Sequence, residues 1–258
     1  MADWHEVGIP TRNPLRVSAE AVDFTRPHPV LREVAVEAQP QKLCFDAARA
    51  ALVIVDMQND FCSPDGWIAS LGLDTAYGLD LIDPINTASR AFRAANMPVL
   101  WVSWGVRPDR LNLSSATRHP FNPNGSQPGL GGEFTGPGGT HRVLMQGSWG
   151  AEIIEGLDQA ETDIHVAKHR ISGFWDTPLD SILRNLDVRT LFFAGVNADH
   201  CVLGTLMDAN FAGYDTVMLE DCVGTTSPEF CMQATLHNVR FCFGFTATSG
   251  DVASTLSA

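Results

Sequence analysis

The sequence predicts a doubly wound (Rossmann-like) α/β fold, a three-layer α/β/α arrangement around a mainly parallel six-stranded sheet. Two observations support this prediction. Short apolar runs alternate along the chain with stretches of helical spacing, and runs such as residues 50–55 are apolar at every position. Strands that are buried on both faces have this pattern, and strands that alternate with helices form parallel β-α-β units. A chain of 258 residues is long enough for one such domain.

The strands are predicted from the apolar runs and the helices from the periodic stretches between them. The predicted strands are residues 50–55, 98–102, 163–166, 190–195, 215–219 and 239–245. The predicted helices are residues 81–95, 177–186, 201–212 and 227–238. Pro178 and Pro228 lie in the first turns of two of these helices, where proline is tolerated.

The first part of the chain differs in character from the rest. Residues 1–45 are rich in Pro, Arg, Glu and Val and lack sustained periodicity, which predicts an N-terminal arm followed by one domain over residues 46–258. Two interpretations of the arm stay open, a partly ordered tail and an arm that wraps a neighbouring subunit. The second would suit a homo-oligomer, a dimer or a tetramer.

A long segment rich in Gly, Pro and Asn interrupts the alternation at residues 104–147. Loops of this length inside a compact domain are usually functional or disordered. We therefore expect this segment to cover an active site.

Composition excludes several classes of partner. The formal charge of -13 disfavours nucleic acid and anionic membranes. No apolar run approaches the roughly 18 residues of a membrane span. The polar start of the chain lacks the apolar core of a secretory signal, and the six cysteines form no C-x-x-C pair. These features predict a cytoplasmic protein with reduced thiols.

Three reactive side chains fall at the carboxyl ends of predicted strands, where open α/β sheets bind ligands. Asp56 closes the first strand, Lys168 lies just after the third, and Cys201 follows the fourth at the start of a helix. These residue types also occur there as a turn former, a solvated cation and a core thiol. The topology nevertheless brings all three to one edge, which favours a functional site.

Each of these positions suits nucleophilic catalysis. A helix start and a nearby ammonium lower the pKa of a thiol, which predicts a reactive Cys201. A carboxylate such as Asp56 can take the thiol proton and return it to a leaving amine. Backbone N–H groups at the turn, those of Asn197 and Cys201, are candidate donors to an oxyanion.

Three motifs resemble those of the isochorismatase-like cysteine hydrolases, which include nicotinamidases, N-carbamoylsarcosine amidases, biuret hydrolases and ureidoacrylate amidohydrolases. Residues 53–61 (VIVDMQNDF) resemble the first signature, and residues 195–202 (GVNADHCV) resemble the nucleophile turn. Lys168 matches the family lysine in context and in its separation from the cysteine. The similarity runs from about Ala50 to the C-terminus.

The resemblance implies a catalytic triad of Asp56, Lys168 and Cys201. It also implies a non-proline cis peptide bond between Val196 and Asn197. Within the family, residues 147–149, 172–174, 177–184 and 228–245 are most similar to ureidoacrylate amidohydrolases. The predicted activity is cysteine-dependent hydrolysis of a C–N bond in a small linear amide or ureide through a covalent acyl-enzyme.

The residues expected to contact the substrate surround the three motifs. They are Asn59, Phe61, Trp104, Trp149, Ile171, Phe174 and His200. Asn59 is also expected to orient Asp56. The chain departs from the ureidoacrylate pattern at Phe61, Trp104, Val106, Ile171 and Ala198. These replacements predict a pocket that is drier and differently shaped.

No metal site and no cofactor are predicted. Residues 103–108 lack the Asp-x-His set that nicotinamidases carry after the second strand, and the remaining histidines show no ligand spacing.

Three alternatives to the predicted activity stay open. The first is an amidohydrolase of the same fold for another amide, such as biuret, triuret, an N-carbamoyl amino acid or an aromatic amide. The second, a vinyl-ether hydrolase like the isochorismatases, is disfavoured by Cys201. The third is a non-catalytic binding protein of this fold.

Overall fold

A computed structural model describes residues 3–9, 12–26, 30–136 and 139–257. The described strands, numbered in chain order, are β1 (His5–Ile9), β2 (Asn13–Val17), β3 (Val22–Asp23), β4 (Glu33–Val36), β5 (Leu43–Asp46), β6 (Ala50–Val55), β7 (Val99–Trp104), β8 (Glu133–Gly136), β9 (Gly139–Arg142), β10 (Ile164–Lys168), β11 (Thr190–Val196), β12 (Asp215–Gly224) and β13 (Phe245–Ala247). The described helices are α1 (Asn59–Cys62), α2 (Trp67–Ser70), α3 (Ala76–Asp80), α4 (Ile82–Ala94), α5 (Ser115–Arg118), α6 (Leu179–Asn185), α7 (Leu203–Phe211), α8 (Glu229–Asn238) and α9 (Ser249–Leu256). Among the helices described, none combines the length and apolar character needed to cross a membrane.

The centre of the molecule is a six-stranded sheet in the order β10-β7-β6-β11-β12-β13. Every neighbouring pair in it is parallel, which confirms the predicted α/β class. From β6 the chain moves outward through β7 to β10 and then returns to the other side of β6 with β11. The neighbours β6 and β11 therefore form the topological switch point, whose carboxyl end is where such sheets bind ligands.

The core consists of two apolar layers, one on each face of the sheet. Along β6, Leu52 and Ile54 join one layer, whereas Val53 and Val55 join the other. Helix α4 covers the first layer, and helices α6 and α7 cover the second. Alternation of side chains along a strand explains why β6 has to be apolar at every position.

Four helices lie where the sequence predicted them, namely α4, α6, α7 and α8. Helix α7 begins two residues after Cys201 because residues Ala198–Val202 form a wider, π-type turn. Helix α9 was not predicted.

The last predicted strand is wrong in its position. Residues Val239–Phe243 continue α8 as a second π-type turn, and the strand β13 begins only at Phe245. The apolar run misled the prediction because Phe241 is exposed rather than part of a buried alternation. Gly244 ends the turn with a φ of +148°, and a Cβ there would overlap the carbonyl oxygen of Thr216.

The N-terminal region contains more regular structure than its composition indicates. Strands β1, β2 and β3 form an antiparallel sheet, which is tied to the domain where Arg12 donates to the carbonyl oxygens of Ala48 and Asn96 at 2.9 and 3.0 Å. Strands β4 and β5 form a hairpin, and Gln39 and Thr246 exchange two main-chain hydrogen bonds beside it. The proposed division between residues 45 and 46 falls inside β5 and stays a prediction.

The segment 104–147 packs against the domain. It contains α5 and the β8–β9 hairpin, and its side chains Leu130, Phe134 and Leu144 are buried in the core. The Phe121 ring stands edge-on to Trp104, with 5.6 Å between ring centroids. Residues 137 and 138 lie outside the described residues. The role of the segment as an active-site cover stays a prediction.

Candidate active site

The candidate site lies at the carboxyl ends of β6, β10 and β11. Asp56 is the first residue after β6, and Lys168 is the last residue of β10. Cys201 lies in the π-type turn that follows β11. Because these strands run parallel in one sheet, their carboxyl ends meet on one side of the molecule.

The Lys168 ammonium lies between the other two side chains. Its Nζ is 2.7 Å from Asp56 Oδ2 and 3.5 Å from Cys201 Sγ. It also donates to the carbonyl oxygen of Arg170 at 3.0 Å. Asp56 and Lys168 are fully buried, whereas Cys201 retains 6% of its exposure. The structure thus brings together the three residues that the sequence singled out.

Burial controls protonation in this cluster. Desolvation raises the pKa of Asp56, and the charge of Lys168 opposes the rise only in part. Desolvation also raises the pKa of Cys201 to about 12, although Lys168 again acts in the opposite direction. The expectation of a lowered thiol pKa is therefore wrong, because the cost of burying a thiolate exceeds the favourable interactions around it. The raised pKa favours the neutral thiol over the thiolate in the resting site.

Main-chain contacts at the end of β7 fix the direction of the Asp56 carboxylate. Its Oδ1 accepts a hydrogen bond from the Trp104 N–H at 3.2 Å, and its own N–H donates to the Val102 carbonyl oxygen at 2.9 Å. Asp56 has a φ of +53°, in the left-handed region that non-glycine residues rarely adopt. Such strained conformations persist where the surroundings over-determine them, and here they aim the carboxylate at Lys168.

Gln58, rather than Asn59, supports this arrangement. Gln58 Oε1 accepts from the same Trp104 N–H at 2.8 Å, and its Nε2 donates to two main-chain carbonyl oxygens at 2.9 and 2.7 Å. Asn59 instead donates from Nδ2 to the Trp149 carbonyl oxygen at 2.8 Å. The Asn59 amide nitrogen therefore holds the turn around Trp149, and the expectations that Asn59 orients Asp56 and contacts the substrate stay predictions.

The turn before Cys201 is held from both sides. The peptide bond between Val196 and Asn197 is cis, and it is the bond named from the sequence. The Tyr77 hydroxyl donates to Asn197 Oδ1 at 3.1 Å, and Asn197 Nδ2 donates to Thr226 Oγ1 at 3.4 Å. The Asn197 carbonyl oxygen accepts from two N–H groups later in the turn at 3.0 and 3.2 Å.

The remaining expected substrate residues divide into two groups. Phe61 and Trp104 are buried in one apolar cluster on the side of β6 that carries α4. Trp149 is half-buried, and its ring contacts His141 with 5.5 Å between centroids. Phe61 lies in α1, Trp104 is the last residue of β7, and the Trp149 carbonyl oxygen accepts from Asn59 of α1. The substrate roles of these three residues stay predictions.

The second group consists of Ile171, Phe174 and His200, which contact other parts of the chain. Ile171 is 40% exposed and lines an open apolar groove with Trp175 and Phe211. Phe174 packs its ring against Tyr214, with 5.8 Å between centroids. The His200 side chain is 53% exposed and lies 3.3 Å from the Asp199 carboxylate. The contacts of these three residues do not involve the Asp56 or Lys168 side chains, and their substrate roles stay predictions.

Sequence reasoning missed two residues of the site. Gln58 lies inside the first motif, so its neighbourhood was a signal, but nothing in the sequence distinguished it from Asn59. Tyr77 lies in the short helix α3 and reaches Asn197 only through the tertiary fold. Among the described residues, no three His, Cys, Asp or Glu side chains cluster as metal ligands would.

Comparison with known proteins identifies the family of this chain. A sequence model of the isochorismatase domain matches residues 50–251. The chain is 35% identical over 213 residues to the ureidoacrylate amidohydrolase RutB of Klebsiella pneumoniae subsp. pneumoniae, which covers 82% of this chain and 89% of that protein. The RutB protein of Klebsiella variicola matches to the same extent.

Solved structures share the fold. A cysteine hydrolase from Pseudomonas syringae pv. phaseolicola superposes with a TM-score of 0.69 at 24% identity, over 90% of this chain and 99% of that chain. The N-carbamoylsarcosine amidase from Thermoplasma acidophilum superposes with a TM-score of 0.58 at 26% identity, over 78% of this chain and 96% of that chain. The chain therefore belongs to the isochorismatase domain family of hydrolases.

Proposed function

We propose that this protein hydrolyses a C–N bond of a small linear amide or ureide through a covalent acyl-enzyme on Cys201. It is a hydrolase of carbon–nitrogen bonds other than peptide bonds. The observation that carries the proposal is the buried contact of three groups, in which Lys168 Nζ lies 2.7 Å from Asp56 and 3.5 Å from Cys201. A nucleophile, a base and a cation in mutual contact suit acyl transfer.

The first step is attack on the substrate carbonyl. Asp56 takes the proton from Cys201 Sγ, and the sulfur forms a bond to the carbonyl carbon. Because burial raises the pKa of Asp56, this carboxylate is a stronger base than one in water and can hold the proton between steps. Because burial raises the pKa of Cys201, the thiolate forms together with this transfer.

The later steps return the proton and release the acid. Asp56 donates it to the leaving nitrogen as the C–N bond breaks, which leaves a thioester and frees an amine or ammonia. Asp56 then accepts a proton from water, whose oxygen attacks the thioester. As the C–S bond breaks, Asp56 returns this proton to the sulfur. The products are the acid, or a carbamate from a ureide, and the regenerated thiol.

The other groups of the site stabilise charge. The Lys168 ammonium touches both partners of the proton transfer and balances the one negative charge that moves between them. The backbone N–H groups of Asn197 and Cys201 are the proposed donors to the oxyanion of the tetrahedral intermediate. The hydrogen bonds from Tyr77 and to Thr226 keep the turn that carries them in place.

For the substrate, we propose a ureide or a related small acyl amide, on the basis of the 35% identity to ureidoacrylate amidohydrolases. The buried aromatic side chains Trp104 and Phe61 near Asp56 favour a compact substrate with an apolar portion. An N-carbamoyl amino acid is the second candidate, since the Thermoplasma amidase of that class shares the fold.

A substrate panel tests the proposal. Ureidoacrylate, biuret, triuret, N-carbamoyl amino acids and an aromatic amide are incubated with the enzyme, and ammonia release is measured together with the intact protein mass. We expect one class to release ammonia and to leave an acyl adduct on Cys201. Hydrolysis at a near-normal rate by Cys201→Ala or Cys201→Ser would contradict the mechanism.

We also propose a cytoplasmic location and a homo-oligomeric state, a dimer or a tetramer. All six cysteines are free, which suits a reducing compartment. The N-terminal sheet exposes apolar side chains such as Trp4, Val7 and Ile9, which suits a subunit contact. Light scattering on the purified chain measures the assembly mass, and a monomeric mass would contradict the second proposal.

A further inference from the structure

Trp104 contacts two of the three candidate catalytic residues, Asp56 and Lys168. Its backbone N–H donates to Asp56 Oδ1 at 3.2 Å, and Lys168 Nζ lies 4.3 Å from the centroid of its ring. The parallel register pairs Trp104 directly with Lys168 across β7 and β10. The side chain is almost fully buried, so its contacts with the charged pair are shielded from water.

The indole nitrogen of Trp104 differs from those of the other buried tryptophans. Trp67 Nε1 donates to the Pro128 carbonyl oxygen at 2.7 Å, and Trp101 Nε1 donates to Asp163 Oδ2 at 2.8 Å. Trp104 Nε1 is buried and has no acceptor of this kind among the described residues. A buried donor without an acceptor is costly and calls for an explanation.

The explanation lies in the sulfur of Cys201, because Lys168 Nζ is 3.5 Å from Cys201 Sγ and 4.3 Å from the centroid of the Trp104 ring, so one ammonium contacts both groups. Burial raises the pKa of Cys201, and the opposing influences include the Lys168 ammonium and the Trp104 indole N–H. The indole thus lies where it favours the charged form of the sulfur over the neutral thiol. A neutral thiol is a weak acceptor, whereas a thiolate accepts strongly.

We propose that Trp104 is a catalytic residue whose indole N–H donates a hydrogen bond to Cys201 Sγ when the sulfur becomes negatively charged. The inference rests on the proposed function and adds a residue to its first step. The proton leaves Sγ for the Asp56 carboxylate, and the sulfur keeps the electron pair. The thiolate then meets two donors, the Lys168 ammonium and the indole N–H, while the ring face holds Lys168 in place.

The test is the rate at which iodoacetamide alkylates Cys201, followed by peptide mass at several pH values. Trp104→Phe keeps an aromatic ring for Lys168 but loses the donor and part of the ring volume, and the control below loses the same volume. Below the thiol pKa the rate follows the small thiolate fraction, so loss of the donor should slow alkylation about tenfold or more at every pH. The hydrolytic kcat should fall in parallel.

Trp101→Phe is the matched control. It removes another buried indole N–H from the same strand, and that N–H donates to Asp163 rather than toward the triad. We expect its alkylation rate to equal that of the wild type. If Trp104→Phe does not fold, benzothienylalanine at position 104 keeps the bicyclic ring without the N–H, and the same loss of rate is expected.

Two results would overturn the inference. One is a wild-type alkylation rate in Trp104→Phe, whether or not hydrolysis falls, because the indole would then serve the substrate or the packing. The other is an equal loss in Trp101→Phe. Alkylation needs no substrate, so it tests this inference separately from the proposed function. If Trp104→Phe slowed alkylation but the wild-type enzyme hydrolysed none of the amides, the proposed function would be contradicted and this inference would not.

Discussion

Asp56 determines the pH range in which the protein can act. Burial raises the pKa of this carboxyl above its usual value of 3.8. The group must be ionised to accept the thiol proton, so activity is present above the raised pKa and is lost as the pH falls through it. We expect the acid limb of kcat/KM at a higher pH than an ordinary carboxyl would give. Measurement of the pH profile on the best substrate checks this, and an acid limb near 3.8 would contradict it.

Asp56 and Lys168 also depend on each other for stability. Asp56→Asn removes the base and leaves the buried Lys168 without its carboxylate partner, so we expect loss of activity together with about 3–5 kcal/mol of unfolding free energy. The double variant Asp56→Asn with Lys168→Met removes both charges and should regain part of that stability without activity. Urea unfolding measures both variants. Equal stabilities of the single variant and the wild type would show that the pair is not buried as described.

At the scale of elements, Asp60 ties α1 to the segment that follows β7. Its carboxylate accepts from the N–H groups of Trp67 at 3.2 Å and Leu144 at 2.7 Å, and His141 Nε2 lies 2.8 Å away. Asp60 is fully buried and follows Asp56 by four residues in the sequence. Its contacts with His141 and Leu144 anchor the β8–β9 hairpin against α1.

Removal of this anchor should loosen the hairpin. In Asp60→Ala two buried N–H groups lose their acceptor, and we expect a loss of about 2–4 kcal/mol in unfolding free energy. Gly150→Ala should act in the same direction, because a Cβ there would overlap the Asp60 carboxylate. Thermal unfolding and limited proteolysis within residues 130–146 are the measurements. An unchanged melting temperature in both variants would contradict this role for Asp60.

Local patterns explain which elements the sequence predicted correctly. β6 is apolar throughout because both of its faces are covered, and this pattern is visible in six consecutive residues. Residues Val239–Phe243 are apolar except for Arg240, but they form a turn whose Phe241 faces outward. The apolar residues alone do not distinguish these two cases, and tertiary packing does.

The same limit applies to the site. Asp56, Lys168 and Cys201 were found because each ends or follows a recognisable strand. The substrate contacts were harder, since Phe174 packs against Tyr214 and His200 faces its acidic neighbour. The raised pKa of Cys201 was also unpredictable, because burial depends on the whole fold and outweighs the helix start and the ammonium.

At the scale of the whole molecule, we expect that the N-terminal sheet can be deleted without unfolding the domain. Among the residues that the structure describes, its hydrogen bonds to the domain are those of Arg12 to Ala48 and Asn96 and the 3.3 Å contact between Asn13 and Asn185. Deletion of residues 1–30 should therefore leave the melting temperature and the specific activity nearly unchanged. If the sheet contacts a second subunit, the assembly mass measured by light scattering should fall. An unchanged assembly mass would favour the interpretation as a tail.

The return of the chain to the middle of the sheet has a consequence for engineering. Asp56 and Lys168 belong to the half that contains β6, β7 and β10, whereas Cys201 belongs to the half that contains β11, β12 and β13. A break between α6 and β11, at residues 186–189, would give two polypeptides of which neither holds a nucleophile together with its base. Hydrolysis by a mixture of the two would then report their association, which makes this fold a candidate split reporter for protein–protein contact.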